Sequence, residues 1–132
     1  MLVPIKEFKP IEFACKCGTD CGYGYEDMDE EFLSKLFTAR KLSNFAFHLT
    51  SAVRCPTHPE AIKNPTSSHN ANRAFVKKSC AVDIKVSNST LVFEITEALR
   101  KAGFTRLGWN QKLNFIHVDS DKKKPQRVFF SY

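Results

Sequence analysis

The pattern of apolar residues predicts an α+β domain: a small antiparallel sheet with helices packed on one face. Two amphipathic helical stretches and a set of short alternating strands carry that expectation, and the two kinds of element are partly segregated along the chain. With 132 residues the chain is long enough for one domain and one modest core. Twelve phenylalanines make that core aromatic-rich, and a single domain over residues 1–132 is expected.

Residues 1–27 read as an irregular, cysteine-containing segment, because Pro4, Pro10, the cysteines and Gly22-Tyr23-Gly24-Tyr25 all favour turns. A helix is predicted from about Met28 to Leu42. Met28, Phe32, Leu33 and Leu36 recur at helical spacing, acidic residues open the segment, and Lys35, Arg40 and Lys41 lie toward its end, as the helix dipole favours. Phe45–Ser51 reads as a strand broken by Cys55-Pro56-Thr57-His58-Pro59, and 63–79 as a polar loop. A strand is predicted over Cys80–Val86. A second helix follows at Thr90–Ala102, with Ser89 as its N-cap and Gly103 as its stop. Short strands are expected at Arg106–Trp109, Asn114–Asp119 and Arg127–Phe130.

The formal net charge of +6 favours an anionic partner such as nucleic acid, a membrane surface or bacterial cell wall. The positive charge is scattered, however, and lacks the dense basic stripe with interleaved aromatics that marks nucleic-acid binding, so no nucleic-acid partner is expected. No apolar run approaches a membrane span. The N-terminus has no charged lead followed by an apolar block, so a protein made in the cytoplasm without a signal peptide is expected. Five cysteines are an odd number, against a fully paired disulfide framework. Cys15, Cys17 and Cys21 cluster; they suit a structural metal completed by Cys55 or a histidine, a single disulfide, or reduced thiols.

The chemistry concentrates in two pairs of residues. In Asn114-Phe115-Ile116-His117-Val118-Asp119 the alternation places Phe115, His117 and Asp119 on one strand face and Ile116 and Val118 on the other. Upstream, Asp83 alternates against Val82, Ile84 and Val86, and His69 follows Thr66-Ser67-Ser68. Two imidazoles and one carboxylate, with a position left for water, form a ligand set for catalytic Zn2+, and such an ion suits amide hydrolysis. His69, Asp83 and His117 are the candidate ligands. Each has an unremarkable alternative: a turn-capping histidine, a carboxylate held by donors, a His–Asp pair on an open strand face. Arg54, directly after a predicted strand, is positioned to meet developing negative charge. Ser68 is a candidate to orient His69 or bind substrate, and Trp109 to line a substrate groove or to fill core. His58 reads as a surface turn residue and His48 as structural.

Taken in order, Ser51-Ala52-Val53-Arg54-Cys55, Ser67-Ser68-His69, Ala81-Val82-Asp83-Ile84, a helix, Gly103-Phe104 with Leu107-Gly108, and Phe115-Ile116-His117-Val118-Asp119 resemble the zinc D-Ala-D-Ala carboxypeptidase family. Its fold is shared with lysostaphin-like peptidases and the hedgehog signalling domain. Phe13-Ala14-Cys15-Lys16-Cys17-Gly18 and the tail from Asp121 to Val128 are similar to its small phage and bacterial branch, so the likeness spans about residues 8–132. The resemblance implies a zinc peptidase cleaving peptidoglycan, either as a D-Ala-D-Ala carboxypeptidase or as an endopeptidase on stem peptide or cross-bridge. It implies His69, Asp83 and His117 as ligands and Arg54 as the substrate-binding or oxyanion arginine.

Two positions depart from the family pattern. Thirteen residues separate His69 from Asp83, more than is usual, with Asn72 where a glycine is common; residues 72–79 read as an inserted loop. The acid that many relatives carry three residues before the last histidine is Asn114, so Asp119 is the substitute base. The residues equally allow Asp119 as ligand and His117 as base. The function expected is a monomeric, phage-encoded wall peptidase, carried on the virion or released at lysis. The competing readings are a non-catalytic wall-binding module on the same fold and a small zinc-containing nucleic-acid-binding protein.

Overall fold

The computed structural model describes residues 2–132. A five-stranded sheet in the order β1-β2-β4-β3-β5 is formed by Leu49–Ser51, Ala81–Lys85, Arg106–Asn110, Phe115–Asp119 and Val128–Ser131 (β1, β2, β3, β4 and β5 in chain order). The first four strands pair antiparallel, as expected; β5 adds to the edge of β3 in parallel. Helices α1 (Glu30–Leu42), α2 (Pro59–Lys63) and α3 (Ser89–Lys101) complete the fold, with α1 and α3 packed on each other.

The two-residue period of the strands decides which face does what. Val82, Ile84, Leu107, Ile116 and Val118 are fully buried and join Phe32, Leu33, Leu36, Ile95 and Leu99 of the helices in one core. Each such side chain removes about 1.5–3 kcal/mol worth of apolar surface from water. The opposite face, carrying Asp83, Arg106, His117 and Asp119, is left free for chemistry.

Both long helices start one or two residues from where apolar spacing alone puts them. Asp29 caps α1, its carboxylate accepting from the Phe32 N–H at 2.9 Å, so the helix begins after Met28. Asn88, rather than Ser89, caps α3 by accepting from the Leu91 N–H at 2.9 Å; an amide oxygen reaches this donor as well as a hydroxyl does. Gly103 ends α3 at φ +105, a conformation costly for any residue with a Cβ. The predicted strand from Phe45 shrinks to Leu49–Ser51. The Ser43 hydroxyl accepts from the Phe45 N–H at 3.0 Å in a turn, and a bulge interrupts β1 itself.

The N-terminal segment is irregular, with two short 3-10 turns (Pro10–Phe13 and Tyr25–Asp27), yet it is anchored in the core. Phe13 is fully buried, 5.7 Å from Phe8 and 5.2 Å from Tyr25 between ring centres. The inserted loop is strapped to this segment. Arg73 donates twice to the buried Asp27 carboxylate, at 2.8 Å each, and stacks 4.2 Å from the centre of the Tyr23 ring. The Ser79 N–H donates to the Asp27 carbonyl and the Asp29 N–H to the Ser79 carbonyl, both at 2.8 Å.

Burial opposes the charge on Asp27, but the two Arg73 bonds and the Gly24 N–H outweigh it and hold the carboxyl below its usual range. An unfolded aspartate titrates near pH 3.9, so this interaction stabilises the fold fully above that pH and its contribution is lost as pH falls through the lower folded value. The midpoint of chemical denaturation should therefore drop steeply below about pH 4. Asp27→Asn should lower the midpoint at neutral pH and flatten the acid limb; an unchanged pH profile in that variant would show that the strap does not contribute.

Candidate metal centre

Three side chains from distant parts of the chain meet on the free face of the sheet. Asp83 of β2 and His117 of β4 are direct partners across an antiparallel ladder, and His117 Nδ1 lies 3.0 Å from Asp83 Oδ1. His69 comes from the loop between α2 and β2, and its Nε2 lies 3.2 Å from the same oxygen. The three candidate ligand atoms fall within 4.8 Å of one another, on residues that are all buried.

The long spacing between His69 and Asp83 does not prevent this convergence. The loop folds as a small hairpin, Asn72 pairing with Lys77, and its base closes where the Cys80 N–H donates to the Ser68 carbonyl at 3.0 Å. His69 is fixed from its other side. Arg54 N–H donates to the His69 carbonyl at 3.0 Å, and the ring Nδ1 sits 2.7 Å from the Ala52 carbonyl. A carbonyl only accepts, so the proton is on Nδ1 and, in the neutral ring, the lone pair of Nε2 points at Asp83.

The donor set fits zinc. Zn–N and Zn–O bonds of about 2.0–2.1 Å in a tetrahedron place ligand atoms roughly 3.3 Å apart, and the two N···O separations here are 3.2 and 3.0 Å. One orienting partner sits behind each histidine: the Ala52 carbonyl behind His69 and the Asp119 carboxylate behind His117, 2.7 Å from Nε2. Ring nitrogens away from a metal are held in this way in metal sites generally.

The electrostatics follow from burial. Burial is the main effect on His69 and pushes its pKa down, so the ring is neutral near neutral pH. Burial also works against the charged form of His117, but its bonds to Asp119 and Asp83 outweigh burial and raise its pKa. Asp83 is held well below the carboxylate range: burial opposes ionisation and the bond from His117 overrides it.

A profile of the family described as Peptidase M15 matches residues 6–119. The chain belongs to the peptidase M15 family. That family comprises zinc peptidases of the D-Ala-D-Ala carboxypeptidase type, and the mixed α+β fold with its five-stranded sheet is compatible with it. No significant match was found among curated proteins or among solved structures.

In this M15 peptidase the remaining predicted residues lie in different places around the trio. Arg54 lines it: Nη2 is 3.9 Å from Asp83 Oδ2, Nη1 is 3.4 Å from Ser67 Oγ, and the buried Nε has no partner. Asp119 is beside the trio but turned from it. Its Oδ2 meets His117 Nε2, while Oδ1 accepts from Arg106 Nε at 2.9 Å and from the Asp121 N–H at 3.0 Å. It has 1% of its surface exposed, and it meets His117 at the ring nitrogen away from Asp83. Asn114 closes the turn before β4 in a left-handed conformation, φ +59, and its carbonyl accepts from Val86.

Ser68 and Trp109 do not face an open substrate groove. Ser68 Oγ is buried between Asp121 Oδ2 and Lys124 Nζ, each 2.9 Å away, so it ties the C-terminal loop to the residue before His69. Trp109 pairs with Ile116, on the apolar face, and packs against the core.

Three contributors escaped the sequence reading. Arg106 neutralises Asp119 and lies 5.4 Å over the Phe130 ring. Phe130 stacks 5.8 Å from His117, and Gly108, opposite His117, leaves room for that ring: a Cβ there would fall 2.2 Å from it. The signal was present in the strand period, since Arg106 and Gly108 alternate with Leu107 and Trp109, but the pairing of β3 with β5 needed the fold. Tyr132 extends the aromatic edge, 5.7 Å from Phe130. Burial, reinforced by the charge of Asp83, pushes its phenol up to about 12, which leaves it a donor near neutral pH.

Gly108→Ala should displace Phe130 from His117 and cost about 1–3 kcal/mol, the usual range for overpacking. Urea denaturation checks this; a variant as stable as the parent would mean the ring moves freely.

Proposed function

We propose that this M15 peptidase hydrolyses peptide bonds of bacterial peptidoglycan at a D-configured residue. In this reading His69 Nε2, Asp83 and His117 Nδ1 hold one Zn2+. The observation that carries the reading is the convergence of those atoms around Asp83 Oδ1, with a shielded, cationic Arg54 alongside. When bound, zinc supplies a Lewis acid that lowers the pKa of water and polarises the scissile carbonyl.

The protein's own groups do the rest. Arg54 presents a guanidinium whose Nη1 lies by Ser67 and whose Nη2 lies beside Asp83, a group suited to a substrate carboxylate or to the oxyanion that develops on the carbonyl. Asp119 acts as a positioning residue: it holds the His117 tautomer through Nε2, and its bonds to His117 and the Asp121 N–H, with Arg106 beside it, keep it ionised against burial. In this reading Asp119 is not the base expected from the sequence, because it stands behind His117, on the ring nitrogen away from Asp83. The Tyr132 phenol, protonated near neutral pH, offers a second donor at the same edge. The net charge of +6 favours retention on an anionic wall. Phage origin and action on the wall from a virion or at lysis belong to the same reading, as does a monomeric state. Among the described residues no helix is long and apolar enough to cross a membrane.

One observation favours a second reading, a wall-binding module that keeps the metal but does not cleave. The two carboxylates nearest His117 are a ligand and the buried, hydrogen-bonded Asp119, and Asn114 stands where an acid is common in the family.

Purified protein should release soluble muropeptides from peptidoglycan, lose that activity with a chelator, and regain it with zinc. His69→Ala and His117→Ala should abolish it. Undiminished digestion by both variants would reject the peptidase site; stoichiometric zinc with muropeptide binding but no product at any pH would establish the binding module instead. Arg54→Ala should reduce kcat/KM by about 10²–10³ with zinc content unchanged. Asp119→Ala should weaken zinc affinity by about 10–100-fold, as loss of an orienting partner does. If Asp119 were the base, turnover would collapse with zinc affinity intact.

A further inference from the structure

Outside this centre the chain builds a second convergence of metal-binding groups. The Sγ atoms of Cys15, Cys17, Cys21 and Cys55 all lie within 4.8 Å of one another, and none is in a disulfide. We propose that these four thiolates bind a second zinc ion, in a closed tetrahedral site that is structural rather than catalytic.

Several features point to one ion rather than to two disulfides. The four sulfurs lie within 4.8 Å of one another and none is bonded to another. Zn–S bonds of about 2.3 Å in a tetrahedron put sulfurs roughly 3.8 Å apart, inside the 4.8 Å limit that encloses all four here. Donors are already aimed at the sulfurs. The Cys55 N–H donates to Cys15 Sγ at 3.3 Å. The Thr19 hydroxyl lies 3.0 Å from Cys17 Sγ and the Thr57 hydroxyl 3.4 Å from Cys55 Sγ, and toward a thiolate each hydroxyl can only donate. Such bonds spread the negative charge that a tetrathiolate site concentrates. Soft sulfur donors in a tetrahedral set select zinc over magnesium or calcium.

The backbone supports the same geometry. Gly18 and Gly22, at φ +85 and +75, turn the chain between and after the first three cysteines, and a Cβ at either would meet nothing within 4 Å. Their requirement is conformational, to fold a short loop around a point. The Cys15 N–H donates to the Tyr23 carbonyl at 3.1 Å and closes that loop.

With four protein ligands the site has no open corner, so its work is to join two segments. It clips the N-terminal loop to the residue directly after Arg54. Lys16 Nζ to the Thr50 carbonyl, 3.0 Å, and Val53 N–H to the Phe13 carbonyl, 3.4 Å, run alongside the clip. The arginine that lines the first centre is thereby held from outside by the second.

Metal content of the full chain, purified reduced under zinc, tests this without reference to peptidase activity. About two zinc ions per chain are expected for the parent, and about one for a His69→Ala/His117→Ala double variant. In that double variant, titration with an organomercurial should release the remaining zinc in step with modification of the clustered thiols. Cobalt substituted into it should give the thiolate-to-metal charge-transfer absorption of a sulfur-ligated ion. Cys17→Ser/Cys21→Ser should lose this ion while keeping the histidine-bound one, and the mercurial titration stands if that variant does not fold. A zinc-free double variant with reactive thiols would overturn the proposal. So would mass spectrometry finding the cysteines of the freshly purified parent paired as disulfides.

Discussion

The site depends on one cross-strand pair. Asp83 and His117 face each other across β2 and β4 on the sheet surface opposite the core, and every other polar group there is arranged around them. A carboxylate with 5% of its surface exposed is costly unless its charge is answered. It is answered by the His117 imidazole and, more distantly, by Arg54. The same period that buries Val82, Ile84, Ile116 and Val118 on one face makes Asp83 and His117 neighbours on the other. A slip of one residue in this register would put the polar pair in the core and the aliphatic residues at the site, so folding and ligand assembly are specified together.

Around that pair the protein builds outward in layers that cross the sheet. Arg106 on β3 neutralises Asp119, Asp119 holds His117, and His117 faces Asp83. From the other side the Ala52 carbonyl fixes the ring of His69, and the backbone of Arg54 bonds to the backbone of His69 and Ala71. Removing one member of such a buried chain leaves its neighbour unpaired, and that costs more than the bond itself. This explains why the polar groups on that sheet face are linked to one another.

Much of this was legible in the sequence. Strand alternation exposed His117 and Asp83 as polar residues sharing a face against aliphatic neighbours, and helical spacing placed α1 and α3 to within two residues. What escaped depended on pairing between distant segments. Nothing local says what the oxygens of Asp119 meet; its engagement with Arg106 appears only when β3 is laid beside β4. Ser68 and Trp109 looked like substrate contacts because they neighbour motif residues. Ser68 is consumed by Asp121 and Lys124, more than fifty positions away, and Trp109 falls on the apolar face once its register with Ile116 is set. The long gap between His69 and Asp83 looked like a threat to the site. The Arg73–Asp27 strap and the closed base of the loop make it neutral.

The claim on which the rest stands is that the first zinc binds through His69 Nε2, Asp83 and His117 Nδ1, with Asp119 behind the histidine. A crystal structure of the zinc-soaked protein, with anomalous data collected across the zinc edge, tests it most directly. An anomalous peak should lie within bonding distance of those three atoms, with Asp119 still bonded to His117 Nε2. A peak ligated by Asp119, or the absence of zinc between His69, Asp83 and His117 in a protein that digests peptidoglycan, would contradict it.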